Sequence, residues 1–308
     1  DNNAWSMLTL MPGTKLYGGF SGDENPASFD KDDRDLFTNK TILDAKDQAR
    51  FIDQITDFDN DKKGVIDGFT IKNGNAEAVY TKRIPSSVTS FPDEYVGGAI
   101  RLKDNVTVTN CDIYNNVATK GGAIYANNGN KNKNISISYC KIHDNYAHDI
   151  GGALSIHRDY LWMETPQDSI INCEISNNKS DRFGGMDISM MRVIGSTVVS
   201  NNSEMYSYDT LYSSNRNNEY YNSIIWGNVG RNYPSQIEGY QNKYAYCAIH
   251  GGYTGEGNIN LDKYNSGEDP DANYVNFVNP ENRAYQPMNN SVVVDEGNNE
   301  YAVGDKDL

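Results

Sequence analysis

Two short blocks return in fixed order along the 308 residues of this chain. The first reads Asn110-Cys111-Asp112-Ile113-Tyr114-Asn115-Asn116, then Tyr139-Cys140-Lys141-Ile142-His143-Asp144-Asn145, then Asn172-Cys173-Glu174-Ile175-Ser176-Asn177-Asn178. The second is Gly97-Gly98-Ala99-Ile100, Gly121-Gly122-Ala123-Ile124 and Gly151-Gly152-Ala153-Leu154, with a degraded form at Gly184-Gly185-Met186-Asp187. Weaker copies of the first block run from Ser196 to Asn202 and from Ser223 to Asn228, and an early one spans Gly68 to Gly74. Ordered self-similarity of this kind marks an array in which each unit buries its apolar face on its neighbours.

Spacing selects the kind of array. The Gly-Gly pairs start at 97, 121, 151 and 184, a repeat of 24 to 33 residues. Val106-Thr107-Val108 and Ile135-Ser136-Ile137 alternate with period two, the signature of strands. No stretch offers a period-3.6 face, which excludes helical repeats. Strands recurring in this way predict a parallel β-solenoid whose coils stack ~4.8 Å apart. Equivalent residues then lie above one another: Ile113, Ile142 and Ile175 in one inward stack, Val108, Ile137 and Ile170 in a second, Ile100, Ile124 and Leu154 in a third. Asn makes up 40 of the 308 residues. It tolerates left-handed backbone and bonds its own backbone at corners, and stacked copies bond one another. Asn116, Asn145, Asn178 and Asn202 are the expected corner residues, and the Gly pairs allow turns where a Cβ would clash.

Acidic residues outnumber basic ones 42 to 27, for a net charge of −15. That excludes a sequence-independent nucleic-acid binder and disfavours docking on an anionic membrane. Mean hydropathy is −0.70 and no apolar run reaches the ~18 residues of a membrane-spanning helix, so a soluble chain is expected. Aromatic residues at 11% and repeated β-branched clusters argue against disorder. The start at Asp1, without Met or an apolar leader, is read as a signal absent or already removed; the end at Leu308 is read as a cut through a longer protein. The four Cys are too sparse for a disulfide scaffold, and their matching frames predict buried free thiols. His143, His148, His157 and His250 have no zinc-ligand spacing, and there is no CxxC.

A further set of segments frames the repeats. Pro12-Gly13-Thr14-Lys15-Leu16-Tyr17-Gly18-Gly19-Phe20-Ser21-Gly22 opens the chain, followed by Arg34-Asp35, Thr41-Ile42-Leu43-Asp44 and Val65-Ile66-Asp67-Gly68-Phe69-Thr70-Ile71; Ser223-Ile224-Ile225-Trp226-Gly227-Asn228 comes after the repeats. Together these resemble the pectin-lyase-like superfamily of right-handed parallel β-helix proteins, in particular bacterial surface proteins with polymorphic-outer-membrane-protein-like repeats and a C-terminal anchor. The resemblance covers roughly residues 7 to 300. It implies an all-β, single-stranded right-handed parallel β-helix (β-solenoid) with loop insertions on one face. One domain over 1–308 is expected: capping coils over 1–64, regular coils over 65–230 and irregular C-terminal coils over 231–308, with the anchor absent. It also implies export to a Gram-negative cell surface, a monomer, and only peripheral contact with the membrane through that missing anchor. It does not imply one activity, because the superfamily holds lyases, hydrolases, adhesins and stalks.

All length variation falls between the Gly-Gly strand and the Cys strand, and insertions in a solenoid gather on the binding face. Outward side chains beside them are Arg101, Lys103, Tyr125, Asn127, Ser155 and His157. A polysaccharide or cell-surface glycan is the expected partner, held by Arg101, Tyr125, Tyr160 and Trp162. The rival reading is a polysaccharide lyase or glycoside hydrolase, with Lys103, His157, Arg158, Asp159 and Asp187 as candidate catalytic groups. A lyase needs a base and a means to neutralise the sugar carboxylate; a hydrolase needs two carboxylates about 5 to 9.5 Å apart. Asp187 occupies a slot where earlier copies place Ile or Leu, so it is either a buried acid or evidence of a one-residue frame shift that turns Met186 and Ile188 inward. The frame shift is the simpler account. A passive stalk is the third reading. Calcium is the one cofactor suggested, through the alternating Asp57, Asp59 and Asp61, although Lys62 and Gly68 break the EF-hand pattern.

Overall fold

A computed structural model describes residues 6–25, 27–54, 62–77, 95–128, 134–158, 165–203, 211–213, 217–230, 237–239, 241–250, 252–261 and 275–303. Among the described residues, strand makes up 47% and no α-helix occurs. One circuit shows the construction. Ile100–Leu102, Val106–Thr109, Asp112–Tyr114 and Val117–Lys120 follow one another, each entering a different sheet. The next strand, Ile124–Asn128, returns to pair in parallel with Ile100–Leu102. Repetition yields a first and a second sheet of eight strands each, a third of nine and a fourth of five, all parallel. All three predicted apolar stacks occur in register: Ile100–Ile124–Leu154, Val108–Ile137–Ile170 and Ile113–Ile142–Ile175. These nine side chains are fully buried. At roughly 1.5–3 kcal/mol for each aliphatic side chain removed from water, the stacks are the main source of cohesion.

The frame shift at the fourth Gly-Gly copy is also present. Leu154 pairs with Met186, Ser155 with Asp187 and Ile156 with Ile188, so Met186 and Ile188 point into the core. Gly184 therefore stands where Gly152 does in the circuit before, and Gly98, Gly122, Gly152 and Gly184 form one column. A Cβ on Gly122 would lie 2.2 Å from the Gly152 carbonyl oxygen and 2.6 Å from that of Tyr146. No side chain fits between backbones this close.

Buried asparagines zip the corner between the third and fourth sheets. Asn116 Nδ2 donates to Asn145 Oδ1, Asn145 Nδ2 to Asn178 Oδ1, Asn178 Nδ2 to Asn201 Oδ1 and Asn201 Nδ2 to Asn228 Oδ1, each at 2.9 Å. Asn201, not Asn202, continues the ladder. The copy is counted from Ser196, which takes the Cys position, and five residues on from 196 is 201. Left-handed backbone belongs to the residue before each rung, at Asn115, Asp144, Asn177, Ser200 and Gly227. In Asn115-Asn116 and Asn177-Asn178 the first Asn supplies the turn geometry and the second the ladder chemistry.

The four cysteines are free and buried. Each Sγ lies within hydrogen-bonding distance of the carbonyl two residues earlier, as do the hydroxyls of Ser196 and Ser223 at the same corner.

Residues 275–303 leave the repeat and run back along the outside of the third sheet. Phe277–Asn279 and Ala284–Pro287 form a small antiparallel pair. Val275, Phe277 and Tyr285 cluster with Val199, Ala248 and Leu261. Asn222 and Asn298 exchange hydrogen bonds at 2.9 Å, Tyr301 stacks on Tyr221 at 4.2 Å, and Arg283 pairs with Asp144.

Asp144 also meets His143, whose Nδ1 lies 2.7 Å from Asp144 Oδ2 and whose Nε2 lies 3.0 Å from Asp112 Oδ1. Both ring nitrogens can donate only in the imidazolium. Burial by itself would lower this pKa, but the two carboxylates outweigh it and raise it from 6.5 to about 9. The stabilisation is therefore complete below about pH 6.5 and is lost as pH climbs through 9. After allowance for solvent screening it amounts to on the order of 2 kcal/mol. Urea midpoints compared at pH 6 and pH 10 should fall more for the native chain than for His143→Gln; equal falls would show that the ion pairs contribute nothing.

Candidate functional site

The outward face of the first sheet gathers most of the described candidates. The register Asp53–Arg101–Tyr125–Ser155–Asp187–Tyr212 places one residue per circuit in a single row. Asn127 and His157 form a second row beside it. Period-two alternation builds both rows, because Ile100, Ile124, Leu154 and Met186 take the inward places.

At the early end, Arg101 is held by Asp53 through Nε–Oδ1 at 2.6 Å and Nη2–Oδ2 at 2.7 Å. The fork-to-fork geometry fixes the guanidinium against the sheet. Asp53 belongs to no motif in the sequence, although its place beside Ile52, the inward partner of Ile100, identifies it as Arg101's neighbour. Lys103 donates its backbone N–H to Gln54 Oε1 at 2.8 Å and is half-buried. Tyr125 lies between Arg101 and Ser155 and is also half-buried.

Farther along, the structure brings together His157 and Asp187. His157 Nε2 is 2.8 Å from Asp187 Oδ2, and Ser155 Oγ lies 3.5 Å from the same oxygen. Asp187 is fully buried although it faces outward, and among the described residues its Oδ1 has no hydrogen-bond partner. An outward-facing buried carboxylate with one oxygen on an imidazole and the other unsatisfied is costly to maintain. The carboxylate orients the ring.

Arg158 is not part of this face. It ends the strand Leu154–Arg158, and the same alternation that turns Leu154 and Ile156 inward turns it inward too. It is fully buried at the corner between the first and second sheets, where Nε and Nη2 grip Asp168 Oδ2 and Oδ1 at 2.7 and 2.6 Å. Asp168 in turn accepts the Ile135 backbone N–H at 2.7 Å. A bidentate, dry ion pair of this kind secures a corner and leaves no guanidinium for a ligand. Of the three cationic candidates Arg101, Lys103 and Arg158, the interior takes Arg158 and Asp53 neutralises Arg101.

Asp159, Tyr160 and Trp162 lie outside the described residues, as do Asp57, Asp59 and Asp61. Among the described residues, no group of three or more His, Cys, Asp or Glu side chains is placed to hold a metal ion, and no helix is long and apolar enough to cross a membrane.

No protein-family model matches the chain, and comparison with curated proteins and with solved structures finds no match either.

Proposed function

We propose that the chain is a single right-handed parallel β-helix displayed at a bacterial cell surface, and that the outward face of its first sheet binds glycan. The observation that carries this reading is the in-register row on that face. Tyr125 offers a ring between the polar groups of Arg101 and Ser155, beside the connections that vary in length from circuit to circuit. A flat, repetitive row suits an extended polysaccharide better than a compact ligand. The Arg101–Asp53 pair and the net charge of −15 favour a neutral glycan over an acidic one. Surface location, and monomeric display through an anchor outside this sequence, follow from the resemblance alone.

The His157–Asp187 pair supports a second reading, polysaccharide lyase or glycoside hydrolase on the same face. Two measurements decide between them. On a glycan array, Tyr125→Ala should weaken binding about tenfold, the loss of one ring contact worth roughly 1.4 kcal/mol, and Trp162→Ala tests the insertion in the same way. Incubation with neutral and acidic polysaccharides should yield neither unsaturated products nor new reducing ends. Turnover abolished by Asp187→Asn or His157→Ala would overturn the binding reading in favour of catalysis. Absence of both binding and turnover would leave a stalk.

A further inference from the structure

A groove of about 460 Å3 lies between the C-terminal segment and the corner joining the second and third sheets. One residue per circuit occupies this corner in left-handed backbone, in the order Asn110, Tyr139, Asn172, Gly195, Asn222 and Tyr246. Gly195 stands between Asn172 and Asn222, and Asn172 Oδ1 fills the place of its side chain, 2.3 Å from where a Cβ would lie. The amide oxygen of Asn172 therefore overhangs the floor of the groove. The segment 295–303 closes the opposite side with Asp295, Asn298 and Asn299.

That wall is firmly attached. Asn172 Nδ2 donates to the Val303 carbonyl at 3.1 Å, and Asn222 exchanges two hydrogen bonds with Asn298. Tyr301 stacks on Tyr221. The groove is thus set by contacts at both ends rather than by a loose tail. Its volume lies in the range of small-molecule sites, roughly 300–1,000 Å3.

The lining also indicates the ligand class. The Asp295 carboxylate accepts, the side-chain amides of Asn172 and Asn299 carry both donors and acceptors, and Ile194, Ala302 and Val303 supply apolar contact. Among the described residues, no Lys, Arg or His lines it, which disfavours an anion. A calcium ion takes 6–8 oxygens, usually with several carboxylates, and only one carboxylate is present in this lining among the described residues. Hydroxyl donors on an otherwise apolar ring satisfy both halves of the surface. We propose that this groove is a binding site for a neutral saccharide unit, separate from the first-sheet face and independent of whether that face binds glycan.

The test is titration of the whole chain with the methyl glycosides of glucose, galactose, mannose and N-acetylglucosamine, followed by amide chemical shifts. Binding with a Kd of about 1 mM is expected, with shift changes that include residues 172, 195, 222 and 295–303. Asp295→Asn keeps the side-chain size and tolerates the left-handed backbone at this position (φ 62°). It should weaken binding about tenfold through loss of a charge-assisted acceptor, and Asn299→Ala should weaken it as well. Melting temperatures of both variants are expected to match the native chain. Tyr125→Ala should leave this binding untouched, which separates the groove from the first sheet. The proposal fails if none of the glycosides binds at about 50 mM, fifty times that Kd. It also fails if the groove residues do not shift, if Asp295→Asn and Asn299→Ala both bind like the native chain, or if calcium chloride alone gives the same shifts.

Discussion

Asn178→Ala should destabilise the chain by about 4 kcal/mol in urea unfolding, whereas Asn202→Ala, in the next circuit, should cost less than about 1 kcal/mol. Asn178 is fully buried, and its side chain serves both neighbouring circuits. Its Oδ1 accepts from the Asn145 backbone N–H at 3.0 Å and from Asn145 Nδ2 at 2.9 Å. Its Nδ2 donates to the carbonyls of Ile142 and Ser176 and to Asn201 Oδ1. Truncation strands the Asn145 N–H in a dry corner and removes a donor from two carbonyls. Each unsatisfied buried group costs about 1–3 kcal/mol, and partial relaxation keeps the total below the sum. Asn202 has only partial burial and no rung in the ladder. Equal effects at the two positions would mean that the ladder is not what holds this corner.

A Gly122→Ala chain is expected not to fold to the native state at all, with loss of the cooperative unfolding transition. The added methyl would stand 2.2 Å from the Gly152 oxygen and 2.6 Å from the Tyr146 oxygen, backbone atoms on both sides that cannot swing away. Ordinary overpacking costs about 1–3 kcal/mol because side chains yield; here whole circuits would have to separate. Gly227→Ala is the matched comparison. Its Cβ would meet nothing within 4 Å among the described residues, so the left-handed backbone (φ 60°) is what resists, at about 1 kcal/mol. Circular dichroism and melting curves of the two variants measure the difference directly. Native-like melting of Gly122→Ala would show that the circuits are farther apart than the contacts indicate.

Much of the fold is legible in the amino-acid sequence because a stacked repeat converts sequence period into spatial contact. Ile113, Ile142 and Ile175 share a local frame, and that frame alone predicts their pairing. Single-residue slips are harder to place. Met186 can be assigned inward because two apolar neighbours flank Asp187, but Asn202 is easily taken for the rung at Asn201 because both residues are Asn and only the count from Ser196 separates them. Arg158 misleads for a different reason. Alternation turns it inward, yet an arginine in the core makes sense only once Asp168, across a connection of variable length, is known to meet it. Asp187 and His157 both stand out in the sequence, but their contact depends on a cross-strand diagonal that no linear motif records. The C-terminal segment is illegible because it has no repeat. Its contacts with Asp144, Asn172, Asn177 and Asn222 join residues 76 to 139 positions apart in the chain.

The column of free thiols has a kinetic meaning. Cys111, Cys140, Cys173 and Cys247 sit at four heights along the axis, each 0–2% exposed. Burial raises the Cys140 thiol well above its usual range and pushes Cys247 up to about 12. An enclosed thiol is out of reach of reagents, so each becomes reactive only when its own circuit opens. In a quasi-one-dimensional stack neighbouring circuits need not open together. The chain thus carries four chemical clocks, each timing the breathing of one storey while the rest of the tower stays shut.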